Sequence, residues 1–432
     1  MTDVTGLPAT RQSKVSVRLL PACLLAMTFL PGGTAARQTS FCDVSFVRAP
    51  RAFYVEAVAG YVRQFLGGGV IARCLGTSTR IAADSVAYYE DQLRAVFIGN
   101  VRFDDSTAVL EADRAFYFLA DDRLEAYGNA RLQNLNTGTV LTGPNLTYFR
   151  VAPGLREEAE LYASQRPTIS YYSDTTQAEP YIIVANQVRM VGDDRAWSGG
   201  DVTIDRSDFR ARGDSSVLNM TEERGILIGH ANVEGGDSTQ FQVSGRDIAF
   251  TFLDGDLNWV QSRGLADARN SEFGLVADTI EFSIEENMIH SSIAWGDSIR
   301  PRAVSRVNTI EADSLAIDSP QQVLHEIRSY GTARATSVRD SLDTEADWVA
   351  GDTVIARFDE GMEGIRILNA LDAIGNAVAY YRIFDPEADL PPDLNYSRGL
   401  KISARFDDDG VDRVDVIGKA DGVHLEPVRR RP

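Results

Sequence analysis

Leu110-Glu111-Ala112-Asp113-Arg114-Ala115-Phe116-Tyr117 is the stretch on which the fold turns. Its apolar and small residues stand at positions one, three, six and eight. That is the period of a strand on either side of the central pair, not the 3.6 period of a helix. The step from three to six is odd, so the chain must absorb a residue there. The Asp-x pair is the natural place for a bulge or kink, and a small residue just before it lets the backbone bend without a clash.

The unit recurs at Ile81-Ala82-Ala83-Asp84-Ser85-Val86-Ala87-Tyr88 and at Leu141-Thr142-Gly143-Pro144-Asn145-Leu146-Thr147-Tyr148. Looser copies begin at Ile183 and Ala211, clearer ones at Val243, Leu275, Ile310 and Val349. Successive starts lie 28 to 42 residues apart, a drifting period that marks a repeat protein. A second motif, Gly-x-Val or Gly-x-Ala, runs in step with the first: Gly99-Asn100-Val101, Gly128-Asn129-Ala130, Gly200-Asp201-Val202, Gly331-Thr332-Ala333, Gly375-Asn376-Ala377 and Gly418-Lys419-Ala420. Glycine there suits positive φ and a change of direction. Only Ala52 to Leu66 offers room for an amphipathic helix, so the class is all-β.

Such a unit cannot bury its apolar face alone. Stacked copies can, with contacts mainly between neighbours. The expectation is an elongated twisted β-jellyroll or solenoid of about nine repeats of roughly 30 residues. Residues 37–80 would cap it, 81–240 and 241–425 would form its halves, and 426–432, with Arg429-Arg430-Arg431, a basic tail.

Composition narrows the partners. Asp and Glu number 62 against 43 Lys and Arg, a net charge of −19, and lysine occurs only at 14, 401 and 419. Nucleic-acid binding needs clustered cations, and attraction to an anionic membrane surface needs the same; neither is expected. Residues 1–36 read as an export signal. Arg11, Lys14 and Arg18 precede an apolar run from Leu19 to Leu30, and small residues follow to Ala36. The run is short for a membrane span, so cleavage is expected, with retention as an anchor the alternative. Cleavage removes three cations and one anion, raising the excess of acids to 21. Cys42 and Cys74 then read as one disulfide in an oxidising compartment, or as two free buried thiols.

The alternation of ADSVAYYED (83–91) with GNVRF (99–103), and of EADRAFYF (111–118) with AYGNARL (126–132), resembles the OstA/LptA family of lipopolysaccharide-transport proteins. That family includes the LptA bridge protein and the N-terminal periplasmic domain of LptD. The likeness is strongest over 81–150, good over 243–360 and faint over 151–240. It implies a periplasmic jellyroll, active in outer-membrane biogenesis, that shelters lipid A acyl chains. Its partners would be lipopolysaccharide and other LptA-, LptC- or LptD-like jellyrolls docked by strand edges. Ile81, Ala83, Val86, Tyr88, Val96, Ile98, Leu110, Ala112, Tyr117 and Leu124 would then line a lipid groove rather than fill a core. The array is about twice what a short bridge needs, and no series of membrane strands follows, so the full outer-membrane translocon is not expected.

Little else suggests chemistry, and no catalytic residue, cofactor or metal is assigned. Gly67 to Ala72 fits a G-x-G-x-x-A phosphate loop but lacks a following helix. Gly-Asp-Ser at 213, 236 and 296 reads as turns. His230, His290, His325 and His424 form no ligand pair. Asp84, Asp113, Asp278, Asp313 and Asp352 read as structural, bonding backbone amides at the kink. Catalysis or ligand binding by these aspartates in a polysaccharide-acting β-solenoid is the rival, and a structural envelope scaffold is the third reading.

Overall fold

The structure, a computed structural model, describes residues 44–427 except 57–59, 153, 173–178, 236–240, 254–255, 271–272, 286–287, 339–344, 361–365, 385–390 and 408–409. The export segment, Cys42 and the terminal arginines lie outside the described residues. The chain divides into two units, Met1–Gln38 and Thr39–Pro432; only the second carries described residues.

That unit is all-β. Among the described residues twenty-eight strands join one sheet, every ladder is antiparallel, and helix is limited to single 3₁₀ turns such as Glu90–Gln92. The described residues of the stretch Ala52–Leu66 do not form an amphipathic helix. They fall mainly in β2 (Arg51–Glu56) and β3 (Val62–Cys74), paired Ala52 to Leu66 and Phe53 to Phe65. Aromatic and β-branched residues such as Phe53, Tyr54, Val55 and Phe65 favour a pleated surface once a partner strand is at hand.

From β3 the chain runs as a meander through β4 (Arg80–Tyr89), β5 (Arg94–Asp104), β6 (Ala108–Phe118), β7 (Arg123–Asn134) and β8 (Val140–Phe149). Each ladder shifts register once, near its middle. Ile98 pairs with Arg114 but Val101 with Ala112, and Glu111 pairs with Arg131 but Arg114 with Tyr127. The extra residue lies in the Gly-x strand, not in the Asp-x strand. Gly99 and Asn100 take φ of 77° and 46°, Gly128 and Asn129 73° and 47°. The dipeptides at 200, 331, 375 and 418 behave alike. Two consecutive left-handed residues are tolerated because the first has no Cβ. The Asp strand therefore steps three residues between inward positions, Ala112 to Ala115, and the Gly strand four, Phe97 to Val101, all four being buried. Gly68 and Gly69 form the same bulge in β3 (φ 87° and 83°), so the glycine run at 67 is mid-strand.

The line of bulges creases the sheet into two half-sheets. Half-sheet I holds Ile81–Ala83, Val101–Phe103, Leu110–Ala112 and Ala130–Leu132; half-sheet II holds Val86–Tyr88, Ala95–Phe97, Ala115–Tyr117 and Leu124–Ala126. The period drifts where the two halves of a strand separate. β8 pairs with β9 (Glu160–Ser164) in II but with β10 (Thr168–Tyr171) in I, which lengthens the step from 141 to 183. Gly235 and Phe241, on either side of the expected boundary between the two halves, pair with each other in one ladder.

Both ends of the sheet fork. β1 (Val44–Arg48) and β2 both pair with β3. At the far end β27 (Gly410–Ile417) and β28 (Asp421–Leu425) both pair with β26 (Asp393–Asp407). Among the described residues these four strands have no second partner. Val44 lies opposite Cys74, which is buried and disulfide-bonded.

Candidate functional site

The half-sheets face each other across a shared interior. Phe103 of I meets Tyr148 of II with ring centroids 6.3 Å apart, and Tyr181 of I meets Phe252 of II at 5.4 Å. One hydrophobic cluster extends along the whole sheet from Leu66 to Ala404. Inward rows mix large with small residues, as in Phe97, Ala115, Ala126 and Leu146 on successive strands, which leaves room for large side chains of the facing layer to interdigitate.

Of the ten groove positions expected from sequence, Ile81, Ala83, Val86, Leu110, Ala112, Tyr117 and Leu124 are buried in this cluster, with Tyr88 partly buried against it. Ile98 and Val96 stand on the other face of β5. Ala95 and Phe97 are fully buried, so by alternation their neighbours face out. Ile98 is 47% exposed; Val96, paired with Phe116, is covered on that outer face. Sequence reading took the wrong phase in this strand because Arg94 to Ile98 is almost uniformly apolar. It also passed over Phe97, Phe103 and Tyr148, which the inward phase selects.

The interior is filled by its own side chains. Between half-sheets, a recess lined by Phe241, Val243, Ala268, Leu275, Phe282 and Ile289 has a volume of about 20 Å³, room for little more than a water molecule. An acyl chain needs the half-sheets to part. Toward the strand ends the lining turns polar. Burial, with Asp122 beside it, pushes the Tyr117 hydroxyl well above the usual phenol range, and burial does the same to Tyr148 beside Asp105.

The recurring aspartates sit at the crease; Asp84, Asp113, Asp313 and Asp352 each face the bulge of the next long strand, whereas Asp278 faces the turn that begins at Gly296. Asn100 Nδ2 donates to Asp84 and Asn129 Nδ2 to Asp113, both at 2.9 Å; Asn376 Nδ2 donates to Asp352 at 3.0 Å and Thr332 Oγ1 to Asp313 at 3.3 Å. Only Asp278 accepts from backbone amides, those of Ser298 (2.7 Å) and Ile299 (3.1 Å). The linked motifs are thus two sides of one joint. A charged acceptor holding two amides is worth more than one exposed side-chain bond. Asp278→Ala is expected to cost about 1–2 kcal/mol and Asp113→Asn under about 1 kcal/mol. Urea denaturation of the two variants checks the ranking. Among the described residues no group of three or more His, Cys, Asp or Glu side chains is placed to hold a metal ion. No protein-family model and no curated protein matches the chain.

Proposed function

We propose that this chain is a non-enzymatic, periplasmic lipid carrier of the lipopolysaccharide-transport type, a creased jellyroll of about nine repeats that shelters acyl chains between its half-sheets. The observation that carries the reading is the unbroken apolar cluster from Leu66 to Ala404 between two facing half-sheets. The path along the array is mainly apolar, interrupted on the inward rows only by small buried hydroxyls such as those of Ser198, Ser216, Ser262 and Ser329, so an alkyl chain meets no charged barrier as it slides. Burying about twelve methylenes gains roughly 10 kcal/mol, enough to offset a local parting of the half-sheets. The free strands β1 and β2 at one end, and β27 and β28 at the other, supply edges for docking similar jellyrolls. The export signal suits this placement, and the energy for directed movement comes from another protein.

Tyr117 and Tyr127 make a matched test. Tyr117 is fully buried in the interior, whereas Tyr127 is 41% exposed on the outer face of the neighbouring strand. A photo-crosslinking benzoylphenylalanine at 117 is expected to form an adduct with lipid A, and the same residue at 127 is not. Adducts from 127 alone, or from neither, sink the proposal. The filled interior favours a second reading, an envelope scaffold; that reading predicts no adduct at either position.

A further inference from the structure

Arg150 directly follows β8 on half-sheet II, yet its guanidinium reaches half-sheet I. Nη2 donates to Thr79 Oγ1 at 2.8 Å, Nε lies 3.9 Å from the Asp105 carboxylate, and Nη1 lies 4.0 Å from Cys74 Sγ. On its own side Nη1 is 3.3 Å from Asp122, whose carboxylate also accepts from the Tyr117 hydroxyl. Thr79 precedes β4, Asp105 follows β5 and Cys74 ends β3. One cation therefore ties three strand ends of half-sheet I to a hairpin turn of half-sheet II. A second tie lies further along. Asn134 Nδ2 donates at 2.7 Å, and Asn136 Nδ2 at 3.2 Å, to Asp193. These asparagines belong to the end of β7 and the turn after it on I. Asp193 lies between β12 (Gln187–Val191) and β13 (Arg195–Arg206) on II.

Both ties sit at strand ends, away from the crease. The second tie is exposed, but the first is buried: Thr79 is fully buried, Asp122 is 6% exposed, and the Arg150 side chain 14%. Burial opposes the guanidinium's charge, but Asp122, Tyr117 and Asp105 more than offset it, so Arg150 holds its proton more firmly than usual. A planar fork with several donors can satisfy partners on two half-sheets at once, which an ammonium cannot. The crease is held by its bulges and the centre by apolar packing. The strand ends are where parting starts, because there the bonds between half-sheets are polar and water can replace them.

We infer that Arg150 is a clasp that holds the half-sheets shut over the N-terminal repeats, and that its release admits an apolar chain between them. The second half of this statement rests on the function proposed above; the first does not. The test uses the whole chain with nitroxide labels on ketone-bearing residues at Ser106 and Ala120. Both positions are exposed, one in a turn of each half-sheet. Distances are read by pulsed electron resonance, and interior access by the fluorescence of cis-parinaric acid. Arg150→Met keeps the apolar stem and removes the fork. It is expected to lengthen and broaden the 106–120 distance and to raise the apparent affinity for parinaric acid on the order of tenfold, in proportion to the open fraction. Arg150→Lys keeps a charge and is expected to show a smaller change in the same direction. If Arg150→Met does not fold, the distance in Arg150→Lys decides alone. An unchanged distance overturns the clasp whatever the uptake. A longer distance with no uptake keeps the clasp and overturns the carrier function.

Discussion

Gly99→Val is expected to destabilise the protein by about 3 kcal/mol or more, a large loss for one residue outside the apolar core. Two costs combine. Gly99 has φ of +77°, where a side chain costs about 1–2 kcal/mol even before β-branching. A Cβ there also lands 3.0 Å from Asp84 Cγ and 3.1 Å from its Cβ. Asp84 must turn away, losing its hydrogen bond with Asn100. The second cost is specific, so it can be isolated. Gly99→Ala is expected to cost about 2 kcal/mol alone and about 1 kcal/mol less beside Asp84→Gly, a coupling readable in a double-mutant cycle. Additive effects would mean that the aspartate and the glycine are not one joint.

Phe97→Ala is the second large effect. Phe97 is fully buried beside Ala115, and truncating such a ring costs about 3–5 kcal/mol. In an array whose strands contact mainly their neighbours the loss is expected to stay local. Hydrogen exchange should show β4, β5 and β6 losing protection. β23 (Glu326–Ser337) and β24 (Asp347–Glu360) should keep theirs. Loss spread evenly along the chain would show instead that the sheet unfolds as one cooperative block.

Much of this architecture was legible because two periodicities coincide. Inward positions one, three, six and eight, read from Leu110 to Tyr117, fall on buried residues, and the odd step forecast a register shift. The strand that carries the extra residue was not legible. Asp-x and Gly-x both suit irregular backbone, and only the ladder shows which one is longer. The partners of the aspartates were missed for the same reason. Asn100 stands sixteen residues from Asp84, and nothing local says that a side chain rather than a backbone amide will meet it. Uniformly apolar strands hide their phase, which is how Ile98 came to be placed inside. Arg150 lies outside both motifs, and its contacts with Thr79 and Asp105 depend on the sheet folding back on itself. No repeat pattern announces such a residue.

The unequal strands on either side of the crease also set how such a chain can grow. A three-step strand must lie beside a four-step strand, or the aspartate faces no bulge and the inward rows fall out of phase. Deleting one strand would bring two of the same kind together; deleting two restores the match. Length in this architecture is therefore counted in pairs of strands. A chain that gains or loses reach does so in increments of one hairpin, with its interior continuous across every join.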